Sequence, residues 1–281
     1  MRELLIKIFG LDTLYKVRKS RVVNFLPRLT QASKLYNYRY GQILSWGIES
    51  REDTNFTYEL TDDNLLYLAH TIAVVANVKP ETAMTYIREA QNDEALRQYV
   101  IDKTKVSAYR RVADLRVEFG RRLGWYALVR LQKPAVVIET GVDKGLGAVL
   151  LCAALLRNRT EGSSGRYYGT DIATKAGYLL DGPYKEVGQV LYGDSITSLR
   201  AFSEPIDLFI NDSDHSSQYE HDEYQVVLPK LGKEGIILSD NAHETAVLAR
   251  LSLEVGRKFV YFQEVPKGHW FPGAGIGFSY S

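Results

Sequence analysis

The chain has 281 residues, 45% of them hydrophobic and 25% charged, a globular balance that excludes general disorder. Lys and Arg number 35 against 34 Asp and Glu, so a formal charge of +1 offers no electrostatic footprint for nucleic acid. One cysteine, Cys152, excludes a disulfide framework and a thiolate metal centre, and no apolar run reaches the ~20 residues of a membrane-spanning helix.

The start, MRELLIKIFG, has neither a secretory apolar core nor a small-residue cleavage site, so cytoplasmic residence is expected. Arg2, Lys7, Lys16, Arg18, Lys19, Arg21 and Arg28 face only Glu3 and Asp12 in the first thirty residues. Such a basic amphipathic arm suits a solvated helix face or a homodimer contact; an anionic membrane surface or acidic partner is the alternative. Tyr36, Tyr38 and Tyr40 follow, placed either to pack under the arm or to line a pocket.

Four helices are expected next. Apolar spacing over 60–78, with Thr61 as N-cap before Asp62 and Asp63, predicts the first, with His70 as a packing residue on it. Residues 79–90 form the second, with Pro80 and Glu81 suited to its first turn. The third covers about 92–104 and the fourth about 107–131. Residues 1–132 thus read as a helical N-terminal cap or oligomerisation region.

From Pro134 onward, β-rich runs alternate with helical stretches: 135–140, 166–172, 188–194, 206–212, 234–240, 257–265 and 275–281. This predicts an α/β fold over 133–281, a Rossmann-like, doubly wound, mostly parallel seven-stranded sheet. The last two runs are separated by PKGHWFPGA, too short for a crossover helix, and should form an antiparallel hairpin at the edge. RNRTEGSSGR (157–166) reads as a flexible loop, and Cys152, among Leu and Ala, as core.

Ligands of open parallel sheets bind at the carboxyl ends of the strands, so polar residues there are the candidates for chemistry. The first strand ends in Glu139-Thr-Gly141-Val-Asp-Lys-Gly145-Leu-Gly147, glycines that let backbone pass close to a ligand at a helix N-terminus. Their spacing departs from the GxGxxG dinucleotide fingerprint, which argues against a nicotinamide-dependent oxidoreductase. The next strands end in Asp171, in Gly193-Asp194-Ser195, in Asn211-Asp212-Ser213-Asp214-His215 and in Ser239-Asp240-Asn241. Any one acid here could be a helix N-cap; five successive polar strand ends point to a site.

The motifs ETGVDKG (139–145), GTDI (169–172), YGDS (192–195), DLFINDSDHS (207–216) and LSDN (238–241) resemble those of class I S-adenosylmethionine-dependent methyltransferases. Within that class they look most like the metal-dependent O-methyltransferases of the catechol, caffeoyl-CoA and macrocin-type sugar branch. The resemblance implies that Gly141 and Gly145 approach the methionine part of the cofactor and that Glu139 anchors its amino group. It implies that Asp171 accepts the ribose hydroxyls, with Asp194 and Ser195 bordering the adenine. Asp212, Asp240 and Asn241 would bind Mg²⁺ or another divalent cation, an oxygen-rich set suited to a hard ion. Asp214 or His215 would be the base, the first matching the sugar-modifying relatives and the second standing where catechol-type relatives carry a lysine.

His243 either faces the substrate or is a loop residue, and His269 with Trp270 either builds the acceptor pocket or covers the core. Glu220, His221, Asp222 and Glu223 read as an exposed helix face, with Glu220 within possible reach of the metal. The implied activity is Mg²⁺-dependent O-methylation of a small-molecule or sugar acceptor with vicinal oxygens, without nucleic acid or stable membrane insertion. A non-catalytic scaffold that binds the same cofactor is the alternative.

Overall fold

The computed structural model describes residues 10–52 and 56–281. Arg2, Glu3 and Lys7 of the basic arm lie outside them. The chain divides at Ser50/Arg51 into two compact units. The first contains α1 (Leu11–Arg18), α2 (Phe25–Tyr36) and α3 (Tyr38–Glu49). None of its described residues is buried, and Tyr36, Tyr38 and Tyr40 are exposed.

The second unit opens with α4 (Asp62–Ala76), α5 (Pro80–Gln91), α6 (Glu94–Val106) and α7 (Arg122–Gln132). Thr61 Oγ1 accepts the Asn64 N–H at 3.3 Å and Asp93 Oδ1 accepts that of Leu96 at 3.0 Å, so side-chain caps start α4 and α6. On α4, Leu65, Leu68, Ala69, Ile72 and Ala73 make the buried stripe. His70 falls off that stripe and is exposed, which corrects its reading as a packing residue. The helix expected over 107–131 exists only as α7. Ser107 is extended and bonds back to the Thr104 carbonyl at 2.9 Å, and Gly120, at φ 50°, breaks the backbone again before Arg122.

The seven strands are β1 (Val136–Thr140), β2 (Arg166–Asp171), β3 (Gly188–Tyr192), β4 (Ile206–Asn211), β5 (Leu231–Ser239), β6 (Lys258–Gln263) and β7 (Gly275–Tyr280). Their order is β3-β2-β1-β4-β5-β7-β6. β1 to β5 pair in parallel, with Ile138 beside Tyr168 and Phe209, while β7 runs antiparallel to β5 and β6. The expected edge hairpin is present. Connecting helices are α8 (Leu146–Thr160), α9 (Ser195–Ala201), α10 (Ser217–Val227) and α11 (Val247–Glu254). The first four residues of the expected 157–166 loop belong to α8.

Strand alternation divides the apolar side chains between two faces. Val137, Leu208, Leu238 and Phe278 join α4 to α8 in one core, which includes Cys152; Val136, Ile138, Phe209 and Ile237 join α9 to α11 in the other. The composition change at 132/133 is thus a change of secondary structure, for the helices of 62–132 share a core with the sheet. No helix among the described residues is long and apolar enough to cross a membrane. Strand order reverses between β1 and β4, and the polar strand ends gather at that switch point.

Candidate active site

After β1 the chain must turn sharply to begin α8, and glycine makes the turn possible. Gly141 has φ 83° and Gly145 φ 93°; a Cβ on Gly141 would run into the Asp212 carbonyl, and one on Gly145 would stand 3.1 Å from the Gly177 Cα. The turn forms one wall of a cavity of about 650 Å³, lined by Glu139, Gly141, Gly145, Asp171, Asp194, Ser195, Asp212, Asp214 and His215. Asp240 and Asn241 are not among the residues that line it. The cavity continues toward Phe56, Val100, Thr104, Val117 and Tyr178, an apolar end with hydroxyls; Thr104 and Tyr178 share a hydrogen bond of 2.9 Å.

Each carboxylate has a distinct setting. Glu139 is 2% exposed and accepts a hydrogen bond from the Tyr167 hydroxyl, and burial pushes its carboxyl up to about 8. Asp171 accepts the Asp143 N–H at 2.9 Å on Oδ2 and the Ala173 N–H at 2.7 Å on Oδ1, which leaves a lone pair on each oxygen for a ligand. Asp194 caps α9 through Thr197 (2.7 Å) and accepts the Tyr219 hydroxyl at 2.7 Å; these bonds, Thr197 foremost, hold its carboxyl below the usual range. Ser195 donates to Glu223 and shares a 2.8 Å bond with the Tyr219 hydroxyl. Asp194 and Ser195 therefore border the cavity with their polar atoms largely engaged.

Glu220 and Glu223 are buried, contrary to the exposed face expected of α10. Glu223 accepts from Thr140 (3.0 Å), Ser213 (2.8 Å), Ser195 and Asn211, and so ties the ends of β1 and β4 to the start of α9. Glu220 accepts from Ser239 (3.0 Å), Tyr224 and Thr245. Both serve the rim as internal braces.

At the ends of β4 and β5, Asp212 and Asn241 meet through an Asn241 Nδ2 to Asp212 Oδ1 bond of 3.2 Å. Arg121 Nε donates to Asp240 Oδ1 at 2.6 Å, and its Nη2 donates to Oδ2 of the same carboxylate. The same guanidinium donates from Nη1 to Glu264 at 3.0 Å. Arg122 Nη2 lies 3.7 Å from Asp212 Oδ2.

Residues 138–242 match a protein family described as a methyltransferase domain. The chain is similar to that family over these residues. Its fold is similar to that of a putative O-methyltransferase from Klebsiella pneumoniae, at TM-score 0.51 and 13% identity over 66% of this chain and 90% of that one. It is also similar to the O-methyltransferase TomG from Streptomyces achromogenes, involved in tomaymycin synthesis and solved with SAM (0.51, 16%, covering 67% and 90%). An O-methyltransferase from Bacillus cereus in complex with SAH matches at 0.51 and 16%, covering 71% of this chain and all of that one. No curated protein sequence matches the chain significantly.

At these strand ends the acids expected to hold a cation are brought together, but they do not fit one. Each oxygen of the fully buried Asp240 accepts a bond from Arg121. Burial works to raise the Asp240 carboxyl, and the Arg121 guanidinium outweighs it and holds it low; burial and the Asp240 charge push Asp212 up instead. A cation seated between these acids would stand against the positive charge of that guanidinium. Among the described residues no group of three or more His, Cys, Asp or Glu is arranged to hold a metal.

Asp214 and His215 are exposed at the cavity. Asp214 Oδ1 accepts the Ser216 N–H at 2.7 Å, and hydrogen bonds from Ser216, its side chain foremost, hold the carboxyl below its usual range. His243 and His269 do not line the cavity. His269 packs against Tyr58, with ring centroids 5.3 Å apart, in a cluster with Phe56 and Trp270, so the β6–β7 turn covers the core. Nothing in the sequence pattern singles out Arg121, Arg122 or Glu264; the pair in GRRLGW looks like ordinary charge at the head of an apolar helix.

Proposed function

We propose that this protein transfers the methyl group of S-adenosylmethionine to a hydroxyl oxygen of a small-molecule or sugar acceptor. The observation that carries the reading is the cavity at the switch point, where the glycine turn, Glu139 and Asp171 converge. Its volume suits a ligand of that size. Glu139 lies where an α-ammonium would restore charge to a buried carboxyl, Asp171 has a free lone pair on each oxygen for two ribose hydroxyls, and Asp194 and Ser195 border the adenine end. Gly141 and Gly145 keep the wall free of side chains where the methionine part would pass.

When bound, S-adenosylmethionine supplies an electrophilic methyl sulfonium, whose carbon–sulfur bond breaks as the acceptor oxygen bonds the methyl carbon. The chain's task is then to align the acceptor and take up its proton. The lowered Asp214 carboxyl is a weak base near neutrality, whereas imidazole is the side chain suited to proton transfer there, so the reading assigns that step to His215. Thr104, Tyr178 and Phe56 would contact the acceptor.

The test is a panel of phenols, sugars and glycosides incubated with protein and S-adenosylmethionine, read by mass spectrometry. The expected products carry one added methyl on oxygen, and His215→Gln lowers the rate far more than cofactor affinity. Transfer only to thiol or amine acceptors would overturn the assignment to oxygen.

A further inference from the structure

We propose that Arg121 and Arg122 occupy the place where a divalent cation would bridge the strand-end acids, so that this chain needs no metal to activate its acceptor. The consequence for catalysis rests on the methyl-transfer reading; the assignment of the acids rests on geometry alone.

Asp240 is wholly buried and receives a two-pronged contact from Arg121, the geometry in which a guanidinium matches a carboxylate. Arg121 cannot swing away without abandoning a second buried acid. Glu264 accepts the Arg121 N–H at 2.6 Å and its Nη1 at 3.0 Å, and is itself fixed by the Tyr58 hydroxyl at 2.7 Å and the Ala274 N–H at 3.1 Å. The guanidinium is thus clamped between two carboxylates that belong to the segments following β5 and β6.

Asp212 is served by the neighbouring arginine. Arg122 places Nη2 3.7 Å from Oδ2, while Oδ1 takes the Asn241 amide. Arg122 also lines the cavity, lies over the Trp125 ring at 5.2 Å, and has a buried Nε without a hydrogen-bond partner among the described residues. It brings a positive charge to the cavity wall beside Asp212. A guanidinium polarises through hydrogen bonds and does not chelate, so the acceptor needs one hydroxyl and no vicinal partner. The proton still leaves to the base.

The experiment uses the full chain, stripped with EDTA and titrated with Mn²⁺ at saturating S-adenosylhomocysteine, with free Mn²⁺ read by electron paramagnetic resonance. The expected result is no loss of free-ion signal, with equal S-adenosylhomocysteine affinity by calorimetry in Mg²⁺ and in EDTA. Replacing both arginines (Arg121→Met with Arg122→Met) bares the acids, and that variant, if folded by circular dichroism, removes free Mn²⁺ in proportion to protein added. Arg122→Met alone, which leaves the buried clamp intact, lowers turnover of a mono-hydroxy acceptor without making it Mg²⁺-dependent. Uptake of Mn²⁺ by the wild-type chain that is abolished by Asp212→Asn would overturn the proposal. Absence of both Mn²⁺ uptake and S-adenosylhomocysteine binding would sustain the arginine assignment and overturn the transferase reading.

Discussion

Glu139 ties the stability of the fold to pH. Its carboxyl is sealed beneath the turn after β1, and burial raises it from the ordinary 4.5 to about 8. Because the folded chain holds this proton more tightly than the unfolded chain, the stabilisation is fully present below about pH 4.5 and is lost as pH rises through about 8. Across that window the loss is on the order of 3–5 kcal/mol. Glu139→Gln keeps a neutral group at all pH values, so urea unfolding should show a flatter pH dependence than wild type and greater stability at the alkaline end. Equal slopes for the two proteins would place the Glu139 titration elsewhere. Glu139 and Asp171 were legible in the sequence because each ends a strand and its position follows from local pattern. Arg121 was not: its partners Asp240 and Glu264 stand 119 and 143 residues away, and only the folded sheet brings them together.

Among the elements, α4, α5 and α6 follow the apolar spacing and capping residues, and every β-rich run becomes a strand. The failure lies at 107–121, where helix-compatible composition is overruled by tertiary demands. Gly120 takes φ 50°, and a Cβ there would stand 2.8 Å from Glu264 Oε1. That backbone turn aims the Arg121 N–H and guanidinium at Glu264. Gly120→Ala should therefore destabilise the chain by about 1–3 kcal/mol, through strain and a disturbed clamp. Urea midpoints measure it, and an unchanged midpoint would show that the clamp tolerates a side chain at this place. On α10 the acidic run was misread as solvated because charge alone does not reveal which face packs inward. Glu220 and Glu223, on the buried face with Tyr224 and Val227, find hydroxyl and amide donors, most of them at strand ends and in loops.

For the whole molecule, the sheet and its switch point followed from the alternation of strands and helices, and the gathering of acids at one rim followed from the sheet. The division of the chain did not, because a change in composition reports secondary structure and says nothing of which elements share a core. All buried apolar residues described lie at or beyond Tyr58, and every residue lining the cavity lies at or beyond Glu52. A chain of residues 51–281 should then melt within about 5 °C of the full chain, since the removed segment carries no buried side chain among its described residues. Loss of cooperative unfolding in that piece would show that the first fifty residues are part of the folding unit.

The most direct measurement is a calorimetric titration of the full chain with S-adenosylhomocysteine, run beside Asp171→Ala. The predicted result is binding at one site per chain, weakened in the variant by ~1.5–3 kcal/mol, the scale of lost hydrogen bonds to a charged group. Folded protein that gives no binding heat at any temperature tried, or a variant that binds as tightly as wild type, would contradict the placement of the cofactor at the carboxyl ends of β1 and β2.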